Sequence, residues 1–371
     1  MKTKTNFFKA NFIYLIILFA FVAIRIISST DLLSFMGDYG SYIMNIILQI
    51  GLMLVLPLVL YPKLRGVKIK QNANDFGFKK VKFSVVLIAF GIGILVYILN
   101  IGVSSFFSYI LSLLGYEKFT STTVTDSYPF YMLIINLIFT AVLPAICEET
   151  THRGMLLHGY KGLGFKRALI ISSLLFGLTH LNIDQFFYAT IIGLLLGFIT
   201  CSCSNIVPAI IIHFTNNAIS VLITYFMSVS TKFASSYSYA ITYFSRGNAL
   251  LTLPLLFVII ACLLALLAYL VYLLFKKTAI DELNNVAGEL TKEKLRSELM
   301  GEQQQPVNIQ NSVPVGVEFQ NKRFKVYIPL EKMGYPLKKS IYPSKLEKTL
   351  MFACICLSSL VTLFTFIWGV I

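Results

Sequence analysis

Charged residues are scarce in this chain of 371 residues, at 13% of the total, against about 25% in an average soluble domain. Hydrophobic residues make up 57% of the chain, and the mean hydropathy is +0.76. So few charges cannot cover the surface of a soluble protein of this length. The composition therefore predicts an integral membrane protein.

Acidic residues are the scarcer of the two signs, 17 against 31 Lys and Arg, which gives a formal net charge of +14. In a soluble protein this balance would suggest nucleic-acid binding. Here the basic residues cluster beside apolar segments, as the positive-inside rule describes. In segments 29–40 and 116–127, Lys118 is the only Lys or Arg. We therefore expect no nucleic-acid partner, and we predict a cytosolic N-terminus. The largest basic cluster lies in one loop: Lys63, Arg65, Lys68, Lys70, Lys79, Lys80 and Lys82.

The six cysteines form no C-x-x-C pair, so neither a disulfide framework nor a cysteine zinc site is indicated. What the chain does have is long apolar segments, and about 17–25 such residues cross a bilayer as a helix. They predict an all-α polytopic membrane protein with about 8–9 transmembrane helices. The segments are 11–28, 41–62, 83–115, 128–158, 166–182, 185–202, 205–227, 250–275 and 349–370.

Polar residues within these segments concentrate in the middle of the chain, which suggests a division into five parts. Residues 1–127 are predicted to be framing helices, 128–227 the functional core, and 228–275 an outer loop followed by a transmembrane helix. Residues 276–348 are predicted to be a hydrophilic cytosolic insert, in which the alternation of "VGVEFQNKRFKVYIP" indicates a short hairpin. Residues 349–371 form the last helix. The insert either recruits a substrate or membrane-protein partner or acts as a variable tether.

The stretch "AICEETTHRG" at 145–154 places two glutamates, a histidine and an arginine at the end of an apolar segment. His180 and His213 lie inside two later segments. Ionisable groups there cost about 2.5–3.5 kcal/mol on insertion scales and usually face the protein interior. The alternative is a solvated end of the helix, with the carboxylates in water. An interior site requires the fourth segment to continue as a helix to about residue 158.

Three pairs of residues are spaced four apart, so that each pair shares one face of a helix. Counted along the helices from their cytosolic turns, the three segments bring these groups to similar depths. We therefore predict an intramembrane polar site formed by three central helices. His152 and His158 are expected to face the cytosol. The pairs are Glu149 with Arg153, Phe176 with His180, and His213 with Asn217.

This set of side chains suits amide hydrolysis. A carboxylate in a low-dielectric cavity is a better base toward water, and imidazole and carboxamide groups can stabilise the resulting oxyanion. Arg153 most simply neutralises Glu149 and leaves Glu148 to activate water. The competing interpretation is zinc held by Glu148, His180 and His213 with an open position for water. Because no H-E-x-x-H motif is present, a metal-free mechanism is preferred.

The three motifs resemble those of a known family: "EETTHR" fits E-E-x-x-x-R, "FGLTH" fits F-x-x-x-H and "HFTNN" fits H-x-x-x-N, in that order. Together they look like the CPBP group of intramembrane proteases, which includes the type II CAAX prenyl endopeptidases and the bacterial Abi and lysostaphin-resistance-like proteins. The resemblance covers roughly residues 125–225. It implies that Glu148 activates water with His180 as its partner, that His213 and Asn217 stabilise the oxyanion, and that Glu149, Arg153 and Phe176 support them.

The resulting hypothesis is a membrane-embedded endopeptidase that cuts a peptide or a membrane protein near the cytosolic face of a bacterial cell membrane. A non-catalytic scaffold or bacteriocin-immunity protein of the same fold is the alternative. A transporter is the third interpretation, but it predicts paired discontinuous helices or two repeated halves, and the sequence has neither pattern.

Overall fold

The computed structural model describes residues 6–28, 30, 39–117, 129–246, 257–278, 312–319, 322–329 and 344–370. Eight of its helices are long and apolar enough to cross a membrane. This confirms a predominantly helical, multi-pass membrane protein. The helices are α1 (Phe7–Ser28), α2 (Gly40–Arg65), α3 (Ile69–Asp75), α4 (Phe83–Leu113), α5 (Phe130–Gly159), α6 (Phe165–Thr179), α7 (Ile183–Cys203), α8 (Val207–Val229), α9 (Thr231–Arg246), α10 (Phe257–Thr278) and α11 (Lys345–Val370).

The fifth apolar segment, 166–182, forms a helix that is too short to cross the membrane alone. Helix α6 has 15 residues, which gives a length of about 22 Å against a hydrocarbon core of about 30 Å. It ends at Thr179, and Leu181 adopts a left-handed conformation with φ of 49°. The Asn182 side chain then accepts a hydrogen bond from Asp184 N at 2.9 Å and begins α7. His180 therefore lies directly after the C-terminal end of a short helix.

Helix α5 continues past the two glutamates to Gly159, as an intramembrane site requires. It is not a regular α-helix, because π-helical segments at Leu137–Val142 and Thr150–Leu156 flank the α-helical turns that carry the glutamates. Helix α2 is also π-helical, from Ile47 to Leu60, with Pro57 inside it. Departures from α-helical to π-helical hydrogen bonding are frequent at functional sites, and here they occur in two neighbouring helices.

Small residues allow the helices of the core to approach closely. A Cβ atom on Gly177 of α6 would overlap the side chain of Thr190 and the carbonyl oxygen of Phe186 in α7. A Cβ atom on Gly93 of α4 would lie 2.5 Å from Thr215 Cβ in α8. Close backbone approach at small residues is the usual way in which membrane helices associate. The two contacts fix α6 against α7 and α4 against α8.

The last helix is part of the bundle. Ser344 and Glu347 form a capping box at its start, with Glu347 Oε2 2.7 Å from Ser344 N. Cys354 is buried and its thiol lies 3.7 Å from Asn11 O in α1. Near the other end, Thr365 Oγ1 accepts a hydrogen bond from Ile183 N at 3.1 Å. Helix α11 therefore packs between α1 and the beginning of α7.

The predicted hairpin is present in the insert. Strand β1 (Ser312–Phe319) pairs antiparallel with β2 (Lys322–Pro329), in the register that places Phe319 opposite Lys322. Residues 279–311, 320–321 and 330–343 of the insert lie outside the described residues. The six cysteines are all unpaired.

The loop expected after residue 228 is a helix. The Ser230 hydroxyl accepts a hydrogen bond from Phe233 N at 3.2 Å and so caps the start of α9. Phe233 and Tyr237, spaced four apart, stack with their ring centroids 6.3 Å apart. The serine-rich composition that suggested a loop therefore belongs to a helix.

Candidate active site

The two adjacent glutamates of α5 have different surroundings. Glu149 is completely buried, and its Oε1 accepts hydrogen bonds from Arg153 at 2.7 Å and from His213 Nδ1 at 2.9 Å. Arg153 also donates to the carbonyl oxygen of Gly193 at 3.2 Å. The predicted pairing of Glu149 with Arg153 is therefore present. It places the charge of Glu149 in an ion pair that also anchors α8 and α7 to α5.

Glu148 points toward a different set of groups. Its side chain is 14% exposed, and its Oε1 accepts a hydrogen bond from Gln49 Nε2 of helix α2 at 3.0 Å. Its Oε2 lies 4.0 Å from His213 Nε2. His213 thus lies between the two glutamates, with Nδ1 on Glu149 and Nε2 facing Glu148.

The ring of Phe176 lies at the centre of the site. Its centroid is 4.2 Å from Arg153 Cζ, and it lies 5.0 Å from the ring of His152, 5.3 Å from that of His180 and 5.8 Å from that of His213. All three imidazoles meet it edge to face. Polar groups of α5, α6 and α8 therefore converge, as the motifs predict. Gln49 makes α2 a fourth contributor that the sequence analysis did not anticipate.

His180 and Asn217 use part of their hydrogen-bonding capacity on carbonyl groups. His180 Nδ1 donates to Phe176 O at 3.0 Å, so Nε2 is the nitrogen without a hydrogen in the neutral ring. Within the part of the chain that the structure describes, no hydrogen bond joins His180 to Glu148. Asn217 Nδ2 donates to Thr140 O of α5 at 3.1 Å, and its Oδ1 accepts from Asn216 at 2.9 Å. An amide nitrogen carries two hydrogens, so Asn217 keeps one for a substrate.

His152 does not face the cytosol, contrary to the prediction. It is completely buried, and its Nδ1 donates to the carbonyl oxygen of Glu148 at 2.8 Å. Its Nε2 lies 3.1 Å from Thr179 Oγ1, and that hydroxyl is 2.6 Å from Tyr14 Oη of α1. The π turn at Thr150–Leu156 follows Glu149 directly, and helices α1 and α6 cover the face of α5 that carries His152. The prediction failed because spacing along α5 does not show that α1 and α6 cover this face.

The second unassigned histidine is also enclosed. His158 is partly buried, and its ring lies 6.1 Å from that of Phe76. Phe76 follows α3, in the basic loop after α2, and this loop folds over the end of α5. Tertiary contacts of this kind join segments about 80 residues apart, so spacing within one helix gives no sign of them.

Gln49 was missed, although the sequence contains a signal for it. It is a single amide in the apolar run "IILQIGLML", and Asn45 precedes it by four residues on the same helical face. Asn216, adjacent to the motif asparagine, was missed as well, and it is buried. Polar amides in a transmembrane helix usually hydrogen-bond to another helix, as Gln49 does.

The donors of Glu148, His180 and His213 are chemically suited to a metal ion. Both histidines have Nδ1 occupied by an acceptor, which is the usual arrangement of imidazole ligands. In the described ranges, no group of three or more His, Cys, Asp or Glu side chains lies close enough together to hold an ion.

The comparison with family models agrees with the motifs. Residues 130–219 match the family of type II CAAX prenyl endopeptidases described as Rce1-like. This segment contains all the predicted site residues, and the match confirms the resemblance to this family in the central part of the chain. No curated protein and no solved structure matches the chain.

Proposed function

We propose that the chain is an intramembrane endopeptidase in which Glu148 activates water for attack on a peptide bond. The observation that carries this proposal is that the two glutamates have different partners. Arg153 compensates the charge of Glu149 at 2.7 Å, whereas Glu148 faces the Nε2 atom of His213 at 4.0 Å. The family match supports a membrane protease at the family level.

The 4.0 Å between Glu148 Oε2 and His213 Nε2 suits one bridging water. A water molecule whose oxygen lies about 2.8 Å from each atom can donate one hydrogen to each of them. The neutral tautomer of His213 donates through Nδ1 to Glu149, so its Nε2 is an acceptor. The water's lone pair then points away from both groups, toward a substrate carbonyl.

The reaction follows from this arrangement. The water oxygen bonds to the carbonyl carbon while the water proton passes to Glu148, and the carbonyl oxygen becomes an oxyanion. The remaining N–H of Asn217 is the proposed donor to that oxyanion. Glu148 then returns the proton to the amide nitrogen as the C–N bond breaks, which gives a carboxyl and an amine product.

The location and the partners are part of the same proposal. Because the positive-inside rule favours a cytosolic position for the basic loop between α2 and α4, we propose a cytosolic N-terminus, and we assign the chain to a bacterial cell membrane. The substrate is a peptide or a membrane-protein segment. The insert at 276–348 is the proposed contact for a membrane-protein partner.

The test compares membrane and secreted peptides from cells with the intact protein and with Glu148→Ala. Glu117→Ala, which replaces a glutamate in the loop after α4, is the matched control. We expect a peptide terminus that disappears in Glu148→Ala alone, at equal protein abundance. If every peptide terminus found with the intact protein persists in both Glu148→Ala and His180→Ala, the protein is a scaffold or an immunity protein instead.

A further inference from the structure

The side-chain amide of Asn217 is held from two sides. Its Nδ2 donates to Thr140 O of α5 at 3.1 Å, and its Oδ1 accepts from Asn216 Nδ2 at 2.9 Å. A backbone carbonyl only accepts hydrogen bonds, so Nδ2 must face Thr140 and Oδ1 must face the other way. The last torsion of an asparagine side chain has only a weak preference of its own. The two partners therefore determine the orientation of the amide.

The carbonyl group of Thr140 is available because of a proline. In a regular α-helix, this oxygen would accept a hydrogen bond from the N–H of residue 144, and Pro144 has no N–H. Helix α5 is π-helical just before the proline, and Leu143 N donates to Ile138 O, five residues earlier. Asn217 thus supplies, from α8, a donor that Pro144 cannot.

A similar arrangement is found in α2. Pro57 lies within the π-helical segment of that helix, and the carbonyl four residues earlier is that of Met53. Met53 O accepts a hydrogen bond from Thr151 Oγ1 of α5 at 2.6 Å. In both helices, a carbonyl that a proline leaves without its α-helical donor is bonded to a side chain of a neighbouring helix.

Asn216 is a buried amide that serves one neighbour. Within the described ranges, the only hydrogen bond of its side chain is the one to Asn217, and its Oδ1 is buried without a partner. A buried polar atom without a partner destabilises a fold. The side chain forms no hydrogen bond to another helix among these residues, so its one bond, to a residue of the site, is what sets it apart from an apolar side chain.

We propose that Asn216 is a positioning residue, which together with the carbonyl of Thr140 directs the remaining N–H of Asn217 toward the oxyanion. This inference rests on the proposed function and adds what keeps its donor in place. Without Asn216, Oδ1 of Asn217 loses its donor and the amide turns more freely. A donor that is already oriented stabilises developing charge without first rearranging, so the loss affects the transition state more than the bound substrate.

The experiment uses the full-length protein in vesicles of phosphatidylethanolamine and phosphatidylglycerol. A library of short quenched fluorescent peptides is searched for a member that the intact protein cleaves and Glu148→Ala does not. This peptide is also made as a phosphinate, in which a tetrahedral P–O⁻ group replaces the carbonyl that is attacked. Binding of the phosphinate can be measured in variants that do not turn over.

The variants are Asn216→Leu, Asn217→Ala and the double variant. Asn100→Leu is the matched control, because Asn100 is an amide of a membrane helix whose Oδ1 accepts from Ser104 of the same helix at 3.4 Å. It should leave kcat, KM and the Kd of the phosphinate unchanged.

We expect Asn216→Leu to lower kcat roughly threefold to tenfold with KM unchanged, the range for one neutral hydrogen bond. The Kd of the phosphinate should rise by the same factor, and the unfolding temperature should not fall. Asn217→Ala should raise this Kd further. Adding Asn216→Leu to Asn217→Ala should cause no additional rise, because Asn216 acts through Asn217.

A further variant tests the carbonyl of Thr140. Pro144→Ala supplies an N–H that can bond to Thr140 O within α5 and so competes with Asn217. We expect a lower kcat and a higher Kd for the phosphinate, and no effect on this Kd when Asn217 is already alanine. An unchanged kcat, or an equal change of Kd in both backgrounds, would remove the Thr140 carbonyl from the proposal.

Two other results overturn the inference, and they are distinguishable. If Asn216→Leu leaves kcat unchanged, or raises the Kd of the phosphinate equally with and without Asn217, the positioning role is wrong, while Glu148-dependent cleavage still supports the proposed function. If no peptide in the library is cleaved in a Glu148-dependent manner, the proposed function fails, and the role of Asn216 fails with it.

Discussion

Glu149 holds His213 in place: Glu149 Oε1 lies 2.9 Å from His213 Nδ1 and, at the same time, 2.7 Å from Arg153. The second glutamate of the motif thereby connects α5 to α8. This contact determines which ring nitrogen of His213 faces Glu148, because a carboxylate requires the proton on Nδ1. The second glutamate therefore orients the site, and the first faces the position proposed for water.

Replacement of Glu149 should destabilise the protein. Glu149→Gln leaves Arg153 buried without its counter-charge, and breaking a buried ion pair from one side costs about 3–5 kcal/mol. We expect a lower abundance in membranes and a lower unfolding temperature in detergent. The control is Glu148→Gln, because the carboxylate of Glu148 has no cationic partner as close as Arg153 is to Glu149. Equal unfolding temperatures for the two variants would contradict this role of Glu149.

The chain of hydrogen bonds from Tyr14 through Thr179 to His152 should affect the rate and not the abundance. Thr179→Val removes the hydroxyl between Tyr14 and His152, and His152 holds the backbone of Glu148. We expect kcat to fall roughly tenfold, the equivalent of about 1.4 kcal/mol, with KM unchanged. Thr179→Ser keeps the hydroxyl and should restore kcat.

The measurement is peptide cleavage by Thr179→Val and Thr179→Ser in vesicles. A rate for Thr179→Val equal to that of the unmodified protein would show that the network has no part in positioning Glu148. A loss shared equally by Thr179→Ser would indicate a packing effect of the β-branched side chain.

Gly177 should tolerate no larger residue. Gly177→Val places atoms where Thr190 and the carbonyl oxygen of Phe186 lie, which forces α6 away from α7. Overpacking of this kind costs about 1–3 kcal/mol, and it displaces His180 three residues later. We expect lower abundance and loss of cleavage. Gly102→Ala in α4, where an added Cβ meets nothing within 4 Å, is the control and should leave both unchanged.

Chelation distinguishes the metal-free mechanism from the zinc alternative. If Glu148 and His213 alone orient the water, prolonged treatment of the reconstituted protein with 1,10-phenanthroline leaves the cleavage rate unchanged. A non-chelating phenanthroline isomer controls for direct inhibition. Loss of activity with the chelator alone, restored by added zinc, would contradict the metal-free proposal and favour Glu148, His180 and His213 as ligands.

The sequence predicted those features that depend on spacing within one helix. Four-residue spacing places Glu149 beside Arg153 and Phe176 beside His180, and both contacts are present. The low charge and the apolar segments predicted a multi-pass helical protein, and the order of the motifs predicted that α5, α6 and α8 meet. These inferences need only the period of the helix and the cost of burying polar groups.

Which residues meet across distant segments outside the three motifs could not be predicted from spacing. Gln49 meets Glu148 across 99 residues of sequence, and His152 is buried because α1 and α6 cover it. The π turns in α5 shift the residues after Glu149 relative to a regular helix. Helix α6 ends at Thr179 because the chain reverses at Leu181, and periodicity did not mark that end within an apolar segment.

The most direct test of the role of Glu148 is cleavage of a susceptible peptide in H2¹⁸O by the reconstituted protein and by Glu148→Gln. General acid–base catalysis contributes about 10²–10⁴-fold, so the variant should cleave at least about 100-fold more slowly at unchanged abundance. The intact protein should place one ¹⁸O atom in the new carboxyl group. Cleavage by Glu148→Gln at the rate of the intact protein, with the same labelling, would contradict the proposal that Glu148 activates the water.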